Sequence, residues 1–340
     1  MRREIVHTNA SAAGVRDAWN GAAGRGASVI VGPLTRAEVN ALAASLLKSP
    51  ADPSGAMSIP TTIALNTVTG AIDGVADTDV PVPRGFYSFG LPLEAEARAV
   101  AGLAWTGNAR AMIVVQSKTP LGRRAGAAFA AEWKARGGRV TRIESFEVFS
   151  DRAPDLEPLR ERFAMANFSE TVRDKPDAIF LAADAAEARI ARPYLGNALP
   201  VFATSQINDG QRDRVANLDL GGIHFVDMPW LLQPDHPAVM VYPRPPLRTT
   251  LELQRLYALG IDACRLAQAF ATRPAPGSRI SLDGVTGTLS VSTDDRQRGS
   301  SATRTVEREP MSAMFLSGAG IAVETAGGDG SNAGSGAHKP

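Results

Sequence analysis

The chain has 340 residues and a mass of 35.7 kDa, about twice the usual domain size, so two domains or two lobes are expected. Apolar residues make up 44% and charged residues 21%, and 36 Lys plus Arg against 35 Asp plus Glu leave a formal charge of +1. That balance argues against extensive disorder and against a protein built to bind nucleic-acid phosphates, and the lone Cys264 excludes an intrachain disulfide and a cysteine zinc cluster.

The first residues, Met1 to His7, carry positive charge with no apolar run behind them, so the chain as written predicts no signal peptide. No stretch approaches the roughly 18 apolar residues of a membrane helix, which predicts no transmembrane segment. Short apolar, β-branched runs predict strands at 28–31, 61–65, 112–115, 143–148, 178–181, 200–203 and 223–226. Helical patterns alternate with them, the rhythm of an α/β protein with mainly parallel sheets. Thr35 with Glu38 three residues on forms a capping-box pattern, and Val39, Leu42, Ala43 and Leu46 follow on one face of a helix ending near Ser49-Pro50. Residues 51–58 and 67–84 read as loops. A second helix is predicted over 121–136, with Ala125, Ala128, Phe129 and Trp133 inward and Gly137-Gly138 as its stop. The longest pattern, 249–272, sets Leu253, Leu256, Tyr257, Ile261, Cys264, Ala267 and Phe270 on one apolar face, so Cys264 is expected to be a small buried hydrophobe. Residues 294–309 read as a solvated charged loop and 327–340 as a flexible tail.

Reactive chemistry is sparse. Of the four histidines, His338 lies in the tail, His236 in a Pro-flanked loop, and His224 in a strand, where a half-buried structural role is expected. There is no Gly-x-Ser-x-Gly elbow and no His-Glu-x-x-His pair. Gly32-Pro33-Leu34-Thr35 follows a strand and opens a helix, a place where anions bind, yet it lacks the P-loop lysine and the dinucleotide glycine triplet. No cofactor and no metal site are expected. Asp294-Asp295 and Asp77/Asp79 read as solvated surface. Polar residues just after strand ends remain: Thr35, Asn66, Thr67, Ser117, Lys118, Ser205 and Gln206, where open α/β sheets bind ligands. Each also suits a helix cap or turn. Together they suggest a groove without a reactive centre, which favours a binding or regulatory protein over an enzyme.

Several segments resemble the penicillin-binding-protein activator family of outer-membrane lipoproteins, the LpoA/LppC type. The most specific is Gly222-Ile223-His224-Phe225-Val226-Asp227-Met228-Pro229-Trp230-Leu231-Leu232. Arg255-Leu256-Tyr257-Ala258-Leu259-Gly260-Ile261-Asp262-Ala263 and Leu282-Asp283-Gly284-Val285-Thr286-Gly287-Thr288-Leu289-Ser290 follow it. Pro176-Asp177-Ala178-Ile179-Phe180-Leu181, Leu199-Pro200-Val201-Phe202-Ala203-Thr204-Ser205 and Gly26-Ala27-Ser28-Val29-Ile30-Val31-Gly32-Pro33-Leu34 also fit. The matches run in order from about residue 25 to 320.

The resemblance implies an α/β fold of the type I periplasmic-binding-protein kind, two doubly wound parallel-sheet lobes joined by crossing segments. Lobe 1 would comprise 1–108 and 243–302, lobe 2 would comprise 109–242 and 303–322, and 323–340 would be a disordered tail. It implies a non-enzymatic role at the outer membrane, facing the periplasm: binding and stimulating a bifunctional class A penicillin-binding protein that builds peptidoglycan. The family begins with a signal peptide and a lipidated cysteine, some members carry a helical-repeat domain, and the fold opens with a strand, loop and helix before the strand matching residues 4–8. None of these is read here, so an N-terminally truncated lobe 1 is expected, with ladder groups left unpaired. The alternative is a receptor closing its lobes on a small amino acid or amide in the cleft. Amino-acid receptors of this fold commonly supply an acidic residue near the strand end matching Ser205 and Gln206, and here the next carboxylate in sequence is Asp209. Trp230 is weighed as a partner contact, with burial at the hinge preferred.

Overall fold

The structure, a computed structural model, describes residues 2–9, 11–48, 59–68, 82–149, 152–163, 175–210, 215–246, 249–293 and 304–323. The loop expectations at 51–58, most of 67–84, the first part of 294–309 and the tail at 327–340 fall outside them.

Three parallel strands form the first sheet, in the order β1 (Val29–Val31), β2 (Thr61–Ala64), β3 (Phe86–Ser88). Helices α1 (Ala12–Gly24) and α2 (Arg36–Lys48) cover one face through Val15, Val39 and Leu42, which pack on Ala64 and Phe86. The cap at α2 is as the sequence predicts. Glu38 N–H donates to Thr35 Oγ1 at 3.3 Å, and Thr35 Oγ1 donates to Glu38 Oε2 at 2.7 Å. The other face is covered by α9 (Leu251–Ala271), whose Leu259, Ala263, Leu266 and Phe270 pack on Ile63, Tyr87 and Phe89.

This burial differs from the expected face. Leu253, Leu256, Tyr257 and Cys264 are exposed, while Asp262 and Ala263 are fully buried. Small side chains let α9 lie close to the sheet, and Asp262 finds enough partners to be buried without penalty. Residues 4–8 are not a strand either. Ile5 is 85% exposed, and the segment is tied down by Thr8 Oγ1 donating to Glu38 Oε1 at 2.7 Å and by a Glu4–Arg25 ion pair at 2.9 Å.

A seven-stranded sheet carries the second lobe. β4 (Ala111–Ser117), β5 (Arg139–Phe146), β6 (Ala178–Ala182), β7 (Val201–Ala203) and β8 (His224–Asp227) are parallel, in the order β8-β7-β6-β4-β5. Two antiparallel strands, β12 (Met311–Leu316) and β13 (Ala319–Ala322), extend it beyond β8. On one face lie α3 (Leu93–Thr106) and α4 (Pro120–Ala135), with Ala97, Val100, Phe129 and Trp133 packed on Met112, Val114 and Phe180. On the other, α5 (Glu157–Phe163) and α6 (Ala185–Ala191) bury Leu159, Ala188 and Ala191. Thr119 caps α4 by accepting from Gly122 N–H, Pro120 occupies its first turn, and Gly137 at φ +85° follows its end.

A three-stranded antiparallel sheet, β9 (Arg279–Asp283), β10 (Thr288–Ser292) and β11 (Glu307–Glu309), packs with the first lobe through Ile280, Leu289 and Val306. Residues 307–309, read as solvated loop, are therefore an edge strand. Two short helices, α7 (Pro229–Leu232) and α8 (Pro237–Met240), lie between β8 and α9.

The chain passes from the three-stranded parallel sheet to α3 through Leu91–Leu93, leaves the seven-stranded sheet after Asp227, and returns to it from β11 through Pro310. α3 lies wholly on the second lobe's sheet, whereas the sequence division at residue 108 puts it with the first. The alanine-rich face Ala97-Ala101-Ala104 suits the close approach of α3 to α4 and the sheet beneath.

Candidate functional site

The seven residues expected at strand ends do not form one groove. Asn66 ties two loops, donating through Nδ2 to Leu34 carbonyl at 3.2 Å and accepting from Thr67 N–H at 3.0 Å. Thr35, Asn66 and Thr67 thus gather at the ends of β1 and β2. Thr67 Oγ1 is buried without a hydrogen-bond partner and faces the edge of a groove described below.

Across the molecule, Ser117 is buried and donates to Glu187 Oε1 at 2.5 Å. Glu187 closes the capping box of α6 with Asp184, so Ser117 serves that helix start and presents no hydroxyl to solvent. Lys118 lies between Asp155 at 3.2 Å and Glu147 at 3.6 Å. Ser205 is also buried, with N–H and Oγ both donating to Glu96 Oε2, at 3.2 and 2.6 Å. Only Gln206, half-buried beside it, has no hydrogen bond among those described. The expected place of Ser117 and Ser205 on a groove wall gives way to internal bonding, because each hydroxyl meets a buried carboxylate supplied by a helix remote in sequence.

Ser205 belongs to a polar network that sequence reasoning missed. Glu96, in the first turn of α3, accepts from Arg308 of β11 at 2.9 Å. Asp227, the last residue of β8, accepts from Arg255 of α9 at 3.0 Å, from Asn208 Nδ2 at 2.9 Å and from Met228 N–H at 2.9 Å. Arg255 also donates to the carbonyls of Ser205 and Asn208, at 3.1 and 3.2 Å. Burial pushes the Asp227 carboxyl above its ordinary value, with Arg255 opposing that rise and Glu96 adding to it. Asp227 and Arg255 both stand inside motifs quoted above, so their presence was visible. Their pairing, across 28 positions, was not.

His224 stacks on Phe202 with centroids 5.2 Å apart, and burial lowers its pKa, so the ring is neutral near pH 7. Trp230 is fully buried beside Tyr257 and under Arg244, the hinge burial preferred from the sequence. A groove of about 930 Å³ runs between α3 and the antiparallel sheet, with Arg98, Arg136, Arg279, Ser290 and Glu307 among its lining residues. Of the seven expected residues only Thr67 lines it. Arg136 pairs with Glu132 and Arg279 with Glu307, which leaves a polar, nearly charge-balanced wall. Among the described residues no cluster of His, Cys, Asp and Glu could hold a metal ion, and no helix is long and apolar enough to cross a membrane.

A family model described as "LppC putative lipoprotein" matches residues 4–299. The penicillin-binding protein activator LpoA of Edwardsiella piscicida is 27% identical over 297 residues, covering 78% of this chain and 40% of that protein. The C-domain of LpoA from Haemophilus influenzae, described as a regulator of PBP1A, superposes with a TM-score of 0.62 at 23% identity, covering 91% of this chain and 86% of that one. A protein of Chromobacterium violaceum described as a "putative branched-chain amino acid ABC transporter" superposes with a TM-score of 0.64 at 32% identity, covering 88% and 84%. The chain spans about 40% of the length of the curated relative it matches. It belongs to the LppC lipoprotein family, and its fold is the type I periplasmic-binding-protein kind.

Proposed function

We propose that this LppC-family protein is a non-enzymatic activator of peptidoglycan synthesis, binding a bifunctional class A penicillin-binding protein in the periplasm, at the outer membrane, and stimulating it. The observation that carries this reading is the family match over residues 4–299, together with relatives named for that activity. The local chemistry agrees with it. Ser117 and Ser205 are buried against carboxylates and His224 stacks on an aromatic ring, so neither of these two hydroxyls is an accessible nucleophile. Activation is then a matter of surface contact by a scaffold that performs no covalent step.

A second reading, a receptor for a small amino acid or amide, is favoured by the 32% identity to the transporter-related protein. The structure supplies the acid that the sequence lacks near Ser205, in the form of Glu96, but that carboxylate is already held by Arg308 and Ser205. A ligand ammonium would have to displace a buried guanidinium. The separating experiment is retention of this protein on an immobilised class A penicillin-binding protein, with calorimetric titration of small amino acids and amides alongside. Retention without ligand uptake supports the activator; uptake without retention supports the receptor.

A further inference from the structure

Two buried ion pairs run between the lobes, and they are oriented alike. Arg308, on β11 of the first lobe's antiparallel sheet, reaches Glu96 on α3 of the second; Arg255, on α9 of the first, reaches Asp227 at the end of β8 of the second. Each pair stands within a few residues of a connection between the lobes: Glu96 follows Leu91–Leu93, Asp227 is the last residue of β8 before Met228, and Arg308 precedes Pro310. All four side chains are mostly or fully out of solvent.

Secondary contacts fasten each pair to both lobes. Arg308 donates its other terminal nitrogen to Thr286 carbonyl at 3.1 Å, holding the β9–β10 turn of the first lobe. Glu96 holds the start of the turn after β7 through Ser205, and Arg255 holds the same turn by two carbonyls. Hinge bending would therefore pull two guanidiniums from two carboxylates and break their shared hydrogen bonds, leaving charges buried and unpaired.

We propose that Arg308–Glu96 and Arg255–Asp227 are the two bolts of a hinge lock that holds the lobes at one angle, so that the molecule presents a rigid surface and does not open and close. The lock is a property of this chain's own hinge and stands apart from the identity of any partner. It differs from what a solute receptor needs, since lobe closure on a ligand requires a hinge that moves at low cost.

The test uses the one native thiol. Cys264 is exposed on α9 of the first lobe, and Ala127 is exposed on α4 of the second. Spin labels at Cys264 and at an A127C substitution report the inter-lobe distance by double electron–electron resonance. The unaltered hinge is expected to give one narrow distance distribution, and combined Glu96→Gln and Asp227→Asn substitutions, which keep shape and remove both charges, to broaden or split it. A broad distribution with the native hinge, or a narrow one that survives the loss of both pairs, would overturn the proposal. Should the double variant not fold, each single substitution is measured in turn, with circular dichroism reporting the fold, and partial broadening in the folded variants is the expected result. Unchanged narrow distributions in both singles would overturn it.

Discussion

Asp262, fully buried in the middle of α9, accepts three hydrogen bonds from the turn between β9 and β10. Its Oδ2 takes Thr286 Oγ1 at 2.7 Å and Thr286 N–H at 2.8 Å, and its Oδ1 takes Val285 N–H at 3.0 Å. Two motifs of the family resemblance, the one ending in Ile261-Asp262-Ala263 and the Asp283-Gly284-Val285-Thr286-Gly287 turn, are thus one structural unit. Gly284 completes it, because a Cβ there would stand 2.6 Å from Asp262 Oδ2.

Replacing Asp262 by Ala leaves Val285 and Thr286 donors buried without acceptors and removes the carboxylate paired with Arg265, which keeps its bond to Asp283 carbonyl. The expected loss is about 3 kcal/mol of stability. Thr286→Val removes one hydroxyl bond only and is expected to cost about 1 kcal/mol. Urea unfolding monitored by fluorescence checks both, and equal small effects would contradict the assigned bonding.

Two helical glycines should respond in opposite directions. A Cβ at Gly122, in the first turn of α4, would stand 2.5 Å from Ser117 carbonyl and 3.0 Å from Ala182 carbonyl, both backbone atoms that move only with their strands. A Cβ at Gly260 of α9 would meet nothing within 4 Å. Gly122→Ala is expected to destabilise by about 2 kcal/mol through overpacking, and Gly260→Ala to stabilise by roughly 0.5–1 kcal/mol by restricting the unfolded chain. Thermal unfolding midpoints, falling for the first and rising for the second, provide the check.

The buried carboxylates give opposite pH signatures. Hydrogen bonds from Thr35 and Thr8 hold the Glu38 carboxyl below its ordinary 4.5. Its stabilisation is fully present above that unfolded value and is lost as pH falls through the lower folded one. Burial places Asp227 above its ordinary 3.8. Relative to an amide, it is therefore at its least unfavourable below the unfolded value, and stability is lost as pH rises through the folded one. Stability measured against pH for Glu38→Gln and Asp227→Asn should give difference curves of opposite slope on the acid side, and slopes of the same sign would contradict the assignment.

Much of the second lobe was legible because its strands are buried on both faces and read as continuous apolar runs. Ala178 to Ala182 is buried at every position. β3 was missed because only Phe86, Tyr87 and Ser88 form it, too short a run to stand out. α1 was missed because its small residues bury only Val15. The inner face of α9 was misjudged because a hydrophobicity pattern ranks Leu253, Leu256 and Cys264 above Asp262 and Ala263, and an aspartate is buried only when a distant turn supplies its donors. The same limit hid the hinge. Glu96 and Arg308 lie 212 positions apart, and nothing local to either marks the pair. Ser117 ends β4 and Ser205 follows β7, yet both turn inward to carboxylates that the one-dimensional pattern could not place.

The proposed activation requires this scaffold to raise the output of a peptidoglycan synthase by contact alone. The direct measurement is the glycan-polymerisation rate of a purified class A penicillin-binding protein at rising concentrations of this protein. A saturable increase that follows complex formation is expected, and it should be retained by a Ser117→Ala, Ser205→Ala variant, since both hydroxyls are buried against carboxylates. No change in rate and no complex at saturating protein would contradict it.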